Sequence, residues 1–144
     1  MLAPIAGLYT EVNTIENGKT VTYRPGRQAN ANSLKSLDPL HGYWIRMTSP
    51  ASLEVRGADV SPATEIRLVQ GWNNVGYLPA SAMRVADALA AIDGKYVEVR
   101  GFDVEATSKL PNAPDDLTTL TEMRPGFGYT INMASAATLI YPGK

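Results

Sequence analysis

The chain carries one stretch twice, and this duplication constrains its fold more than any other feature. Residues 42–57 read Gly-Tyr-Trp-Ile-Arg-Met-Thr-Ser-Pro-Ala-Ser-Leu-Glu-Val-Arg-Gly. Residues 128–143 read Gly-Tyr-Thr-Ile-Asn-Met-Ala-Ser-Ala-Ala-Thr-Leu-Ile-Tyr-Pro-Gly. Eight of the sixteen positions are identical at a constant offset of 86, where average residue usage would give about one. Leu34, Leu37 and Pro39 align with Leu120, Met123 and Pro125 at the same offset. Farther upstream, Gly7, Leu8, Tyr9, Thr10, Glu11 and Val12 align with Gly94, Lys95, Tyr96, Val97, Glu98 and Val99 at an offset of 87, so the loop between differs by one residue.

The copies are unequal. The second repeat, 61–143, opens with residues 65–79 and a helical stretch, whereas only six residues precede Gly7 in the first, 7–57. The first repeat is therefore expected to be incomplete, and the chain either to be a piece of a longer parent or to leave an edge for a partner. At 144 residues the whole is expected to form a single pseudo-symmetric domain, 1–144, with both copies around a shared core.

The predicted fold class is mainly β: antiparallel sheets from a duplicated hairpin unit, with one α-helix at about 82–92. Residues 8–15 and 20–24 flank Asn17 and Gly18, the strongest short hairpin signal. Residues 43–48 and 52–56 predict a second hairpin, residues 65–69 and 72–78 a third around Gly71, and 95–100 a strand. Residues 129–133 with 138–141 should repeat the second hairpin. Met83, Ala86, Leu89, Ala90 and Ile92 recur at helical spacing, with Ser81 as the cap and Gly94 as the stop. Short helical turns are expected at 33–37 and 116–123. Strand alternation puts Tyr43, Ile45 and Met47 on a core face, as it does Tyr129, Ile131 and Met133. Trp44, Arg46 and Thr48 then share the opposite, polar face.

The segments Gly42-Tyr43-Trp44-Ile45 and Gly71-Trp72-Asn73-Asn74-Val75-Gly76-Tyr77 resemble a repeat often appended to secreted and surface proteins of bacteria and archaea. In that repeat a GWN-hydrophobic-G strand precedes a short helix, a tyrosine-containing hairpin and a PG-x-GYWI strand. Arg124-Pro125-Gly126-Phe127-Gly128-Tyr129-Thr130-Ile131 matches the last element with Thr130 replacing the usual Trp. The first copy departs from it, with Asp38-Pro39-Leu40-His41 in place of the Pro-Gly lead-in. The resemblance covers residues 7–143 and implies an accessory or surface-display module beside a functional domain. It implies no catalytic residues.

The residue inventory bounds the chemistry. Thirteen Lys and Arg against fourteen Asp and Glu, with no basic cluster, argue against nucleic acid as the partner. No apolar run reaches the length of a membrane span, and the first residues do not read as a signal peptide. With one histidine, His41, no cysteine and no Gly-x-Ser-x-Gly turn, a hydrolytic triad is not expected. His41 aligns with Phe127, a packing position at a strand entry. Asn112, Asp115 and Asp116 could offer oxygens to calcium, but the spacing of a calcium loop is missing, and Asp115 and Asp116 read better as caps of the following helical turn. No metal or cofactor is expected. Aromatic stacking on sugar remains. Trp44, Arg46, Trp72 and Asn73 are the candidate ligand-binding residues. Aromatics in β proteins are usually core, which favours that role for Trp72. Trp44 stays open between a sugar platform and a protein contact.

The expectation is a non-catalytic accessory module of a larger extracellular or cell-surface protein, serving attachment, spacing or assembly. Its partners would be domains of the parent protein or a cell-surface component. The alternative is a carbohydrate-binding module. Either a monomer, in which the first copy borrows strands of the second, or a homodimer is expected.

Overall fold

Asn17 and Gly18 sit at φ 49° and 75°, the two left-handed positions that a type I′ turn requires. They fold Tyr9–Glu16 (β1) back on Lys19–Tyr23 (β2). Trp44–Met47 (β3) pairs with the other side of β1, completing a three-stranded N-terminal sheet in the order β2-β1-β3. The computed structural model describes residues 2–103 and 105–143, with Asp115 by its backbone alone.

The rest of the chain adds Ile66–Leu68 (β4), Gly71–Gly76 (β5), Met83–Arg84 (β6), Val85–Ala88 (α1), Tyr96–Phe102 (β7), Ala106–Lys109 (β8), Glu122–Met123 (β9), Gly128–Met133 (β10) and Ala137–Leu139 (β11). A four-stranded C-terminal sheet runs β5-β10-β7-β8, and two ribbons pair β11 with β4 and β6 with β9. All pairings are antiparallel. The fold is mainly β, as the alternation predicts.

The two sheets use one register. In the first, Tyr9, Glu11, Val12 and Asn13 face Met47, Arg46, Ile45 and Trp44, with a bulge between Tyr9 and Glu11. In the second, Tyr96, Glu98, Val99 and Arg100 face Met133, Asn132, Ile131 and Thr130, with the irregularity at the same place. Side-chain bonds recur as well. The Asp38 N–H donates to the Tyr43 hydroxyl at 2.9 Å, and the Arg124 N–H donates to the Tyr129 hydroxyl at 2.8 Å. Likewise the Thr22 N–H donates to Ser33 Oγ, and the Ser108 N–H to Thr119 Oγ1, both at 2.9 Å. The one-residue difference in offset falls at the hairpin turn: two residues separate Glu16 from Lys19, and one separates Asp103 from Glu105.

Several expectations need correction. The helix predicted at 82–92 is a single turn, α1, followed by a 3-10 turn at Ala90–Ile92. Met83 and Arg84 are extended because they pair with Met123 and Glu122, so helical spacing here reflects burial of one face and not a long helix. Ser81 is no cap; its carbonyl accepts the Tyr77 hydroxyl at 2.8 Å. Residues 33–37 are not helical, and the 3-10 turns fall instead at Ala29–Ala31 and Asp115–Leu117. The expected hairpins after β3 and β10 do not form. β11 leaves its sheet to pair with β4, and residues 52–56, which have no such partner among the described residues, are not strand. β4 and β5 turn a corner between sheets and do not pair with each other.

The two halves also do not share one core. Eighteen residues, Ile66 to Tyr141, form the main cluster, while Ile5, Tyr9, Val12 and Leu34 form a separate small one. Tyr129, Ile131 and Met133 are buried, as the alternation predicts. Their counterparts are not: Tyr43 and Ile45 are half-buried and Met47 is exposed. The C-terminal sheet is covered by β4, β6 and α1, for which the N-terminal half has no equivalent among the described residues. Among the described residues β5 pairs with β10 alone, so the N-terminal sheet borrows no strand there.

Tyr77, Tyr129 and Tyr141 pack edge to face in the main cluster, at 6.2 and 5.2 Å from Tyr77. Desolvation by burial, with smaller contributions from Tyr129 and Glu122, pushes the Tyr77 hydroxyl up to about 12, and burial raises Tyr141 further. The folded state thus holds these protons more tightly than the unfolded chain, whose tyrosines ionise near 10. The contribution to stability is complete below that pH; that of Tyr77 is lost as pH rises from about 10 through about 12, and that of Tyr141 persists to higher pH. Tyrosinate absorbance followed beside circular dichroism should show these groups ionising only as the sheet signal collapses. Complete ionisation of all tyrosines near pH 10 with the fold intact would contradict this account.

Candidate functional site

Strand β7 organises the outer face of the C-terminal sheet. Its pleat sends Glu98, Arg100 and Phe102 to one side and Val99 and Gly101 to the other, so Arg100 and Phe102 stand about 7 Å apart on the same face. Arg100 carries its guanidinium 4.5 Å from the centre of the Trp72 ring. Two hydrogen bonds from Arg100 to the Glu98 carboxylate, at 2.7 and 3.1 Å, hold it there. Phe102 meets Trp44 of the N-terminal sheet at 5.5 Å between ring centres and an angle of 56°. The result is a row of Trp72, Arg100, Phe102 and Trp44 that crosses from one sheet to the other.

The four sequence candidates occupy different positions in this row. Trp44 is 44% exposed and leaves part of its ring open. Arg46 shares its strand and is exposed. Trp72 is half-buried on the outer face and lies under Arg100, which corrects the assignment to the core: the strand pleat turns Asn73 and Val75 inward instead. Asn73 is buried and fully engaged. Its amide nitrogen donates to the Val69 and Gly71 carbonyls at 2.8 and 2.9 Å, and its oxygen accepts the Val69 N–H at 3.0 Å. The side chain staples the β4–β5 corner, where Gly71 adopts φ 90°.

Phe102 and Arg100 do not stand out in the sequence. Their signal is the alternation Glu98, Arg100, Phe102 after a bulge, which shifts the pleat by one residue and is visible only once the register is known. Beside the row, the Glu11 carboxylate accepts hydrogen bonds from Arg24 at 2.6 Å and from Asn13 at 3.1 Å. These bonds, the Arg24 one foremost, hold its carboxyl below the usual carboxylate range.

His41 closes a turn. Its Nδ1 lies 2.8 and 2.9 Å from the two Asp38 carboxylate oxygens, and Asp38 Oδ1 also accepts the Leu40 N–H at 2.8 Å. Its ring lies 6.5 Å from Tyr43, in keeping with a packing position at the strand entry. Of the calcium candidates, Asn112 and Asp116 are exposed, and the Asp115 side chain lies outside the described residues. Among the described residues no three His, Cys, Asp or Glu side chains gather as a metal site would require, and no helix is long and apolar enough to cross a membrane.

Comparison of the chain with family models, with curated proteins and with solved structures found no match in any of the three.

Proposed function

We propose that the chain is a non-catalytic accessory module, built on an internal repeat like those of secreted and surface proteins, that mediates attachment, spacing or assembly for a larger extracellular protein. The observation that carries this reading is the Trp44–Phe102 pair. Both rings are about half exposed, at 44% and 49%, on the polar face of two adjoining sheets. Rings left in water on an otherwise polar face are the composition of a contact surface. Surface labelling and protease shaving of the source cells should recover the chain outside the membrane; recovery only from the cytosol would overturn the reading.

A carbohydrate-binding module is the second reading, favoured by the same exposed indole with Arg46 beside it. Flat rings stack on the apolar faces of pyranoses while arginine bonds their hydroxyls. In this reading Trp44 carries the stacking, because Arg100 already covers Trp72. A glycan array should then show binding that Trp44→Ala abolishes and that leaves circular dichroism unchanged. An array blank for the parent chain leaves the contact-surface reading alone. For either reading, acrylamide should quench Trp44 fluorescence strongly in a Trp72→Phe background.

A further inference from the structure

The shared register shows what the N-terminal sheet lacks. In the C-terminal half, β10 is flanked by β5, β11 by β4 and β9 by β6. The corresponding stretches are β3, residues 51–53 and residues 36–37. On the matching edges none of them pairs with a strand among the described residues. Beside residues 36–37 lies a hollow of about 290 Å³ lined by Leu2, Tyr9, Val12, Tyr23, Leu34 and Leu37, together with Lys35 and Ser36. Of these, Leu2, Tyr9, Val12, Leu34 and Leu37 correspond to Leu89, Tyr96, Val99, Leu120 and Met123, all buried. Those five are closed over by one continuous segment. Met83 lies opposite Met123 in the β6–β9 ribbon, the Val85 N–H donates to the Thr121 carbonyl at 3.1 Å, and Met83, Val85 and Ala88 are buried with them. The hollow occupies the place that this segment fills in the other half.

We propose that the N-terminal half is an acceptor for a polypeptide segment patterned like residues 64–88: a short strand, an asparagine-stapled corner, a Gly-Trp-Asn-Asn strand and a helical turn, supplied by another repeat unit. Three backbone edges around one small hydrophobic cluster, against which Leu37, Ile45 and Leu53 pack, with the hollow at its side, call for an occupant with its own N–H and C=O groups at strand spacing. A small molecule cannot satisfy all three, whereas an added strand does so by extending the ladders. The chain's own segment is engaged, because β4, β5 and β6 each hold a full register with β11, β10 and β9. Withdrawing it from a second copy of this chain would open there what it closes here, with no net gain. The inference rests on the register common to the two sheets and not on the extracellular reading, so either can fail alone.

The turn Leu2–Ile5 matches Leu89–Ile92, with the Ile5 N–H donating to Leu2 at 3.1 Å and the Ile92 N–H to Leu89 at 2.9 Å. A second copy of residues 62–88 can therefore be joined directly ahead of Leu2. In that fused chain, hydrogen exchange at the β3 amides should slow by about tenfold or more, toward the rate of β10. Carrying Val75→Asp and Val85→Asp in the added copy should restore the fast exchange. The free peptide of residues 62–88, mixed with the unaltered chain, gives an independent readout: saturable binding at one peptide per chain, with protection appearing at residues 36–37 and 44–47. The proposal is overturned if β3 exchange is unchanged in the fused chain, if the aspartate pair makes no difference, or if the peptide perturbs β10 and leaves β3 alone.

Discussion

Replacing Ile131 with alanine is expected to lower stability by about 2–5 kcal/mol, and the same change at Ile45 by less than about half as much. The two isoleucines hold equivalent places, Ile131 opposite Val99 and Ile45 opposite Val12. Their surroundings differ. Ile131 is fully buried among residues of the main cluster, and its truncation leaves a cavity that β5 and the buried tyrosines cannot collapse into. Ile45 packs beside a small cluster with one side open, so water already reaches it and the lost transfer energy is smaller. Urea denaturation of both variants provides the comparison. Equal losses would mean that the face around Ile45 is covered in solution.

This asymmetry marks the limit of what the sequence makes legible. Strand identity along β1, β2, β3, β7 and β10 follows from alternation and from Asn17-Gly18, because those signals are local, and the β1–β2 register is closed by the short turn between them. Pairing across distance is not legible. Residues 137–139 and 51–53 look alike in sequence, yet only the first is strand, because β4 pairs with it and no strand among the described residues pairs with the second. Burial follows the same logic. Tyr43, Ile45 and Met47 have the pattern of a core face, but burial needs a covering layer, and a strand's own pattern does not state whether one is present. The site divides in the same way. The open ring of Trp44 is readable from its polar-face neighbours. The Trp72–Arg100 stack depends on a bulge that resets the pleat of β7.

The seam between the two halves offers the sharpest test of the arrangement. Gly76→Ala is expected to cost about 3 kcal/mol, the upper end of the usual overpacking penalty. A Cβ there would lie 2.1 Å from the Pro39 carbonyl oxygen and 3.3 Å from that of His41. Both are backbone atoms, so no rotamer change makes room. The Gly76 N–H donates to the Leu40 carbonyl at 2.9 Å, and its carbonyl accepts the Tyr141 hydroxyl at 3.0 Å. Pushing residues 39–41 away breaks the first bond and drags Gly42 from its partner. That partner is its own counterpart: a Cβ on Gly128 would come within 2.6 Å of the Gly42 Cα, and one on Gly42 within 3.0 Å of the Gly128 Cα. Gly26→Ala is the control. Gly26 has φ 80°, and a methyl group there would meet nothing within 4 Å, so only its left-handed backbone resists alanine, at roughly 1–2 kcal/mol. Thermal unfolding should rank Gly76→Ala well below Gly26→Ala, and the emission of Trp44, which reaches across the seam to Phe102, should shift only in the former. A Gly76→Ala protein as stable as the Gly26→Ala control, with unchanged emission, would mean that the two halves do not meet at these glycines.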